Sequence, residues 1–237
     1  MEVDVIILSY TKDDTYYGMT KECIESILNS EDEHTFNIIV MESDKTGKYV
    51  YDYDEVKTIV PDEEFNYNRF LNIGLEHCNN EWILISNNDT EYHSKWFTQM
   101  YKEWEKDNEL LSMSPFCPIW VKHKNFTGGE TVFPGYRVSF EITGWSILMN
   151  KKVVEVMGKF DEDFVFSYQD DDYSMVLQKH NIKHALIKNS VVTHRVSKSH
   201  NLITDTRMKF IMTHAQANTF FNKWKELNPK EYFRNRL

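Results

Sequence analysis

Trp82-Ile83-Leu84-Ile85-Ser86-Asn87-Asn88-Asp89 decides the reading of this chain. A short apolar run of this kind suits a buried strand, and it ends in a carboxylate. The charge therefore falls at the carboxyl edge of a sheet, where open α/β folds bind ligands. A second acidic knot, Gln169-Asp170-Asp171-Asp172, lies further along, and a strand-like Ser190-Val191-Val192-Thr193-His194 follows it. One carboxylate with one imidazole suffices to hold a divalent cation, and another carboxylate beside them can act as a base. The set reads as transfer from a metal-bound phosphate-ester donor.

Outward from that strand, the first half alternates strand and helix signals as a mostly parallel sheet demands. Val3 to Ser9 is an apolar run that ends in Tyr10-Thr11-Lys12-Asp13-Asp14. Met19 to Asn29 then sets Met19, Cys23, Ile24, Ile27 and Leu28 on one helical face. Phe36 to Met41 and Val56 to Val60 read as strands, and Asn68 to Cys78 as a helix. His93 to Asn108 is an amphipathic helix whose Trp96, Met100 and Trp104 form a core stripe. The second half is less regular. Ile142 to Met149 suggests a strand, Lys151 to Met157 a helix, Asp172 to His180 another, and Thr206 to Leu227 a long terminal helix.

The whole chain sets limits on what this can be. At 237 residues, 41% hydrophobic and 14% aromatic, it has ample material for a core. No apolar stretch reaches the ~18 residues needed to span a bilayer, and the acidic Met1-Glu2-Val3-Asp4 is unlike a secretory leader. A cytoplasmic location is the expectation. Three cysteines without a CxxC pair argue against a disulfide framework. A net charge of −10 disfavours general affinity for nucleic acid, although magnesium or manganese offsets it at a phosphate site.

Three strand ends carry polar groups to one sheet edge: Tyr10, Glu42 to Asp44, and Asn87 to Asp89. Together they can line a nucleotide pocket. Asp89 is the candidate metal anchor, since hard cations take oxygen ligands and keep waters and substrate phosphates in their other positions; capping the next helix is its plainer role. Asp170 is the candidate base, because an attacking hydroxyl must lose a proton, with Asp172 beside it. Three acids opening a helix also suit its macrodipole, so a purely structural cap competes. His194 ends a strand that would aim its ring at the same edge. Arg195, Lys198, His200, Arg207 and Lys209 make the one basic stretch, suited either to a diphosphate leaving group or to a solvated helix entry.

By order and spacing, these segments resemble the family 2 glycosyltransferases of the GT-A fold over about residues 3 to 200. Ile6 to Tyr10, Cys23 to Leu28, Val40 to Asp44 and Asn68 to Gly74 match successive family segments. Trp82 to Thr90 looks like the metal motif in the Asn-Asn-Asp form of rhamnosyltransferase-like members. Gly158 to Phe164, Gln169 to Asp172, Val192 to His194 and Phe220 to Trp224 continue the likeness. Two positions depart from the pattern. Asn87 replaces the first acid of the metal motif, and Gln169 replaces the glutamate before the base.

The resemblance implies an α/β GT-A-type nucleotide-diphospho-sugar transferase fold, with a mixed, mostly parallel sheet flanked by helices. It implies a domain over 1–205, split into a nucleotide-sugar half (1–110) and an acceptor half (111–205), with a helical extension over 206–237. The implied activity is inverting, metal-dependent glycosyl transfer. Asp89 and His194 would hold Mn2+ or Mg2+, and Asp170 would deprotonate the acceptor. Tyr10, Glu42, Asp44, Arg69, Asn87 and Asn88 would bind a UDP- or dTDP-sugar. Gly144, Trp145 and the Phe133 to Phe140 loop would wall the acceptor, and Arg195, Lys198 and His200 would meet the diphosphate. The acceptor is a glycan or a hydroxymethylated base in phage DNA. The rival readings are a nucleotidyltransferase, which lacks its glycine-rich loop here, a non-catalytic nucleotide-sugar-binding module, and a metal-dependent nuclease.

Overall fold

The computed structural model describes residues 1–165, 167–195 and 216–227. Strands β1 (Glu2–Ser9), β2 (Thr35–Glu42), β3 (Val56–Ile59) and β4 (Trp82–Asn87) run parallel, in the order β3-β2-β1-β4. Helices α1 (Asp14–Leu28) and α2 (Tyr67–Leu75) make the crossovers. After β4 come β5 (Thr90–Tyr92), α3 (Trp96–Lys106), β6 (Leu110–Phe116), β7 (Val132–Pro134), β8 (Ser146–Asn150), α4 (Lys151–Met157), α5 (Gln169–Lys179) and β9 (Lys183–His194). Antiparallel β8 joins β4 to β6, and β9 then lies parallel to β6. The result is one mixed sheet with helices on both faces.

The period of two along β1 and β4 sorts side chains between those faces. Val3, Val5, Ile7, Trp82 and Leu84 pack against Cys23, Ile24 and Ile27 of α1 and Trp96, Phe97 and Met100 of α3. Ile6, Leu8, Ile83 and Ile85 point the other way, onto Phe70 and Leu71 of α2, Val153 of α4, and Tyr173 and Leu177 of α5. Ile7 is fully buried, so Ile7→Ala would cost about 2–5 kcal/mol. On the second face α2 comes very close to the sheet: a Cβ on Gly74 would lie 2.8 Å from Ile6 Cγ2.

Several boundaries differ from the sequence expectation, each for a local reason. Helix α1 starts at Asp14, five residues before Met19, because the Asp13 carboxylate caps the amides of Thr15 and Tyr16 at 2.8 and 3.2 Å. Helix α5 starts at Gln169, so the acidic knot forms its first turn. Strand β8 begins only at Ser146, and β5, β6 and β7 carry no clear strand signal. Of the helix expected over 206–227, the described end holds α6 (Ala217–Lys223) and a 3-10 turn, Lys225–Leu227. The remainder, with Lys198, His200, Arg207 and Lys209, lies outside the described residues.

Candidate active site

Register brings the polar strand ends together. Ser9 pairs with Glu42, and Leu8 with Asn87, so the ends of β2, β1 and β4 lie side by side. The chain leaves β4 through Asn88 and Asp89 and enters β5, which pairs antiparallel with the end of β9, Thr90 opposite His194. That pairing, with the Arg195 amide donating to the Asp89 carbonyl at 2.9 Å, sets Asp89 next to His194. The distance from His194 Nε2 to Asp89 Oδ1 is 3.2 Å, and both side chains are largely buried. Trp145 lies flat on the imidazole, with centroids 5.2 Å apart and planes 9° from parallel.

Tyr67, Asn87, Trp120, Ser139, Thr143, Gly144, Trp145, Gln169, Asp170 and His194 line one cleft of about 270 Å³. Asp170 reaches it from the first turn of α5. That turn follows Tyr168, which sits in the left-handed region at φ 64°. Gly144 lies directly against the Asp170 carboxyl: a Cβ there would fall 2.0 Å from Oδ2, so only glycine allows the approach. Asn87, Gly144, Trp145, Asp170 and His194 are thus brought to one cavity.

The other expected residues are placed elsewhere. Asp172 is turned away from the cleft into a clasp with the C-terminal segment: Lys223 Nζ lies 2.8 Å from its Oδ1, and Trp224 Nε1 donates to that oxygen at 2.7 Å. Burial pushes its carboxyl above the usual range, against the opposing pull of Lys223. Glu42 is fully buried beneath the sheet edge. Its oxygens accept from the Thr11 amide and hydroxyl, the Tyr51 hydroxyl and the Asp44 amide, which makes it a brace rather than an exposed donor contact. Asn88 donates to Thr20 Oγ1 at 3.0 Å, pointing into α1. Arg69 is paired with Glu162 at 2.8 Å. Asp44 accepts from Thr46. Tyr10 is exposed and stacks loosely on Phe65, at 6.4 Å. Arg195 is held by Glu22 and Glu91.

The imidazoles differ in how they are satisfied. His184 meets Ser112 Oγ and the Glu141 carbonyl at 2.7 and 3.0 Å. His123 meets the Cys117 amide and the Phe140 carbonyl at 2.8 and 3.1 Å. Burial lowers both to about 4, so both stay neutral. His194 has no hydrogen-bond partner at either ring nitrogen, although a carboxylate oxygen is 3.2 Å away. Two ligand atoms that converge without bonding one another suit a shared cation. Among the described residues no group of three His, Cys, Asp or Glu side chains forms a cation cage. A hard ion here would therefore take its other ligands from substrate oxygens or water.

Residues 4–155 match the model of glycosyl transferase family 2, well over half of the chain. The chain belongs to that family. In this family 2 chain, Asp170 and His194 both fall beyond the matched segment. The mannosyltransferase PcManGT from Pyrobaculum calidifontis, solved with GDP-Man and Mn2+, is similar at TM-score 0.61 and 17% identity, over 84% of this chain and 59% of that one. GalNAc-T7, solved with UDP, GalNAc and Mn2+, is similar at TM-score 0.66 and 9% identity, over 86% of this chain and 46% of that one. The family 2 chain thus spans less than two thirds of either neighbour, and the likeness establishes a shared GT-A-type fold. No curated protein matches it.

Tyr67, Trp120 and Thr143 also line the cleft but carried no signal in the sequence, whereas Ser139 falls in the Phe133 to Phe140 loop expected at the acceptor. Tyr67 was detectable in principle, since it opens a helix right after Asn66, a strong N-cap residue. Trp120, Ser139 and Thr143 lie in irregular loops, where only tertiary contacts fix direction. Trp120 Nε1, for example, donates to the Ser139 carbonyl at 2.9 Å.

Proposed function

We propose that this protein is a metal-dependent, inverting glycosyltransferase that moves a sugar from a nucleotide-sugar to an acceptor hydroxyl. The observation that carries the reading is the meeting of Asp170 with His194, which lies 3.2 Å from Asp89, on the walls of one aromatic-lined cleft. In the reaction, Asp170 takes the proton of the acceptor hydroxyl. The freed oxygen attacks the anomeric carbon from the side opposite the diphosphate, and the carbon–oxygen bond to the diphosphate breaks with its electron pair. Mn2+ or Mg2+ held by Asp89 and His194 would offset the charge that builds on the leaving group. Trp145 keeps the His194 ring oriented and, with Trp120, offers an apolar face on which a sugar can stack.

The two neighbours support a donor-and-metal reading, since one was solved with GDP-Man and Mn2+ and the other with UDP, GalNAc and Mn2+. A UDP- or dTDP-sugar remains our first expectation for the donor. Among the described residues no helix is long and apolar enough to cross a membrane, which is compatible with a glycan acceptor in solution. DNA carrying hydroxymethylated bases is the second acceptor to test; binding that shows no salt dependence excludes it.

The deciding experiment screens nucleotide-sugars for manganese-dependent thermal stabilisation, then assays transfer by Asp170→Asn. Donor binding kept and transfer lost is the expected pair of results. Full transfer by Asp170→Asn would eliminate the base. Donor binding with no transfer by the unsubstituted protein to any acceptor would favour a binding module, and nucleotidyl transfer would favour the nucleotidyltransferase.

A further inference from the structure

Tyr67 is the first helical residue of α2, behind the Asn66 cap. Its backbone is fixed from two sides. Its amide donates to the Val165 carbonyl at 3.2 Å. The same helix is pinned to the segment before α5 by Asn66 to the Glu162 carbonyl, Asn68 to the Asp161 carbonyl and Asn72 to the Phe160 carbonyl, at 2.7 to 2.9 Å. A side chain on so constrained an element reaches the cleft with little freedom, as a substrate-contacting group requires.

The phenol hydroxyl has one proton and two acceptors, Asn87 Oδ1 and the Gly144 carbonyl, each 3.4 Å away. Both distances exceed the usual O–H···O range of about 2.5–3.0 Å. The proton is shared between two weak contacts, so a ligand oxygen arriving at normal distance would take it with a net gain. Burial, Asp170 and Asp89 all push the phenol above its ordinary pKa. Tyr67 therefore stays a neutral donor and cannot act as a base.

Its two acceptors mark the ends of the reaction site. Asn87 is two residues from Asp89, on the side where the diphosphate would be held. Gly144 touches Asp170, on the side of the acceptor. A hydroxyl that reaches both spans the gap between leaving group and base, which the transferred sugar must fill. We propose that Tyr67 is a further substrate-contacting residue, its hydroxyl donating a hydrogen bond to an oxygen of the transferred sugar. This deepens the glycosyl-transfer reading and rests on it.

The test compares Tyr67→Phe with the unsubstituted protein in manganese, against UDP-, GDP- and dTDP-sugars and the matching free nucleoside diphosphates. The substitution removes one oxygen and keeps the ring that packs on the second apolar cluster, so the melting temperature without ligand is expected to stay close to the parent's. Affinity for the sugar nucleotide is expected to fall about three- to tenfold, the range of one neutral hydrogen bond, with affinity for the free diphosphate unchanged. Equal weakening of both would assign the contact to the diphosphate and overturn the proposal. So would no weakening of either. If the unsubstituted protein binds no sugar nucleotide, the glycosyl-transfer reading fails first and the Tyr67 contact goes with it.

Discussion

Asp170 and Asp172 stand in the same turn of the same helix and face opposite ways. Two positions along an α-helix rotate a side chain by about 200°. Asp170 is thereby turned to the cleft and to Gly144, while Asp172 is turned to Lys223 and Trp224 of the C-terminal segment. The histidines repeat the contrast. His123 and His184 have both ring nitrogens engaged, and His194 has neither, beside a carboxylate. Residue type and local charge density do not separate a chemical group from a structural one. The partners do, and they come from distant parts of the chain.

The largest effect that sharpens this comparison is expected from Asp170→Asn, which should lower transfer by roughly 10²–10⁴-fold. The matching Asp172→Asn should mainly lose stability, about 1–3 kcal/mol after allowing for the partly exposed Lys223, read from urea unfolding. If the two variants swap these signatures, the assignment of the helix faces is wrong.

Acid should test His123 and His184 next. The folded-state pKa values of His123 and His184 lie near 4, below the ordinary 6.5, so the unfolded chain binds more protons in that interval. Their contribution is complete above about pH 6.5 and is lost as pH falls towards 4, by roughly 3 kcal/mol each. A stability profile flat from pH 7 to 4.5 would contradict their buried, neutral state.

Gly144→Ala tests how closely Asp170 is seated. The added Cβ would overlap the carboxyl, and a displacement near 1 Å should cost up to about 10²-fold in kcat, with donor affinity nearly intact. An unimpaired Gly144→Ala would mean that Asp170 works from another position. Smallest is Lys223→Met, which removes the cation between Asp161 and Asp172 while keeping much of the stem. About 1–2 kcal/mol of stability should go, and kcat should change less than for any cleft variant.

The parallel half of the sheet was legible because its signals are local. Buried runs such as Ile6-Ile7-Leu8 and Ile83-Leu84-Ile85 end in polar loops, and the helical spacing of Leu71 and Leu75 marks α2. The strand ends converge at one edge as the alternation implied, with Ser9 opposite Glu42. Strand β6 was not legible. Its Ser112 and Ser114 are fully buried, tolerated because Ser112 bonds Tyr173 and His184 and Ser114 accepts from the Thr143 amide. Those partners lie 29 to 72 residues away, so no hydrophobic pattern announces them. The same holds at the site. Spacing pointed to Asp89, Asp170 and His194, yet nothing local distinguished Asp170 from Asp172, or showed that Glu42, Asn88 and Arg69 are held by neighbours in the fold.

The flat stack of Trp145 on His194 gives the site an optical reporter of its own. An indole stacked on an imidazole senses a cation bound to that ring. The emission of Trp145, isolated as the difference between the parent and Trp145→Phe, should therefore change if manganese claims the ring. Occupancy of the cleft becomes readable in a cuvette, without an acceptor, a radiolabel or turnover.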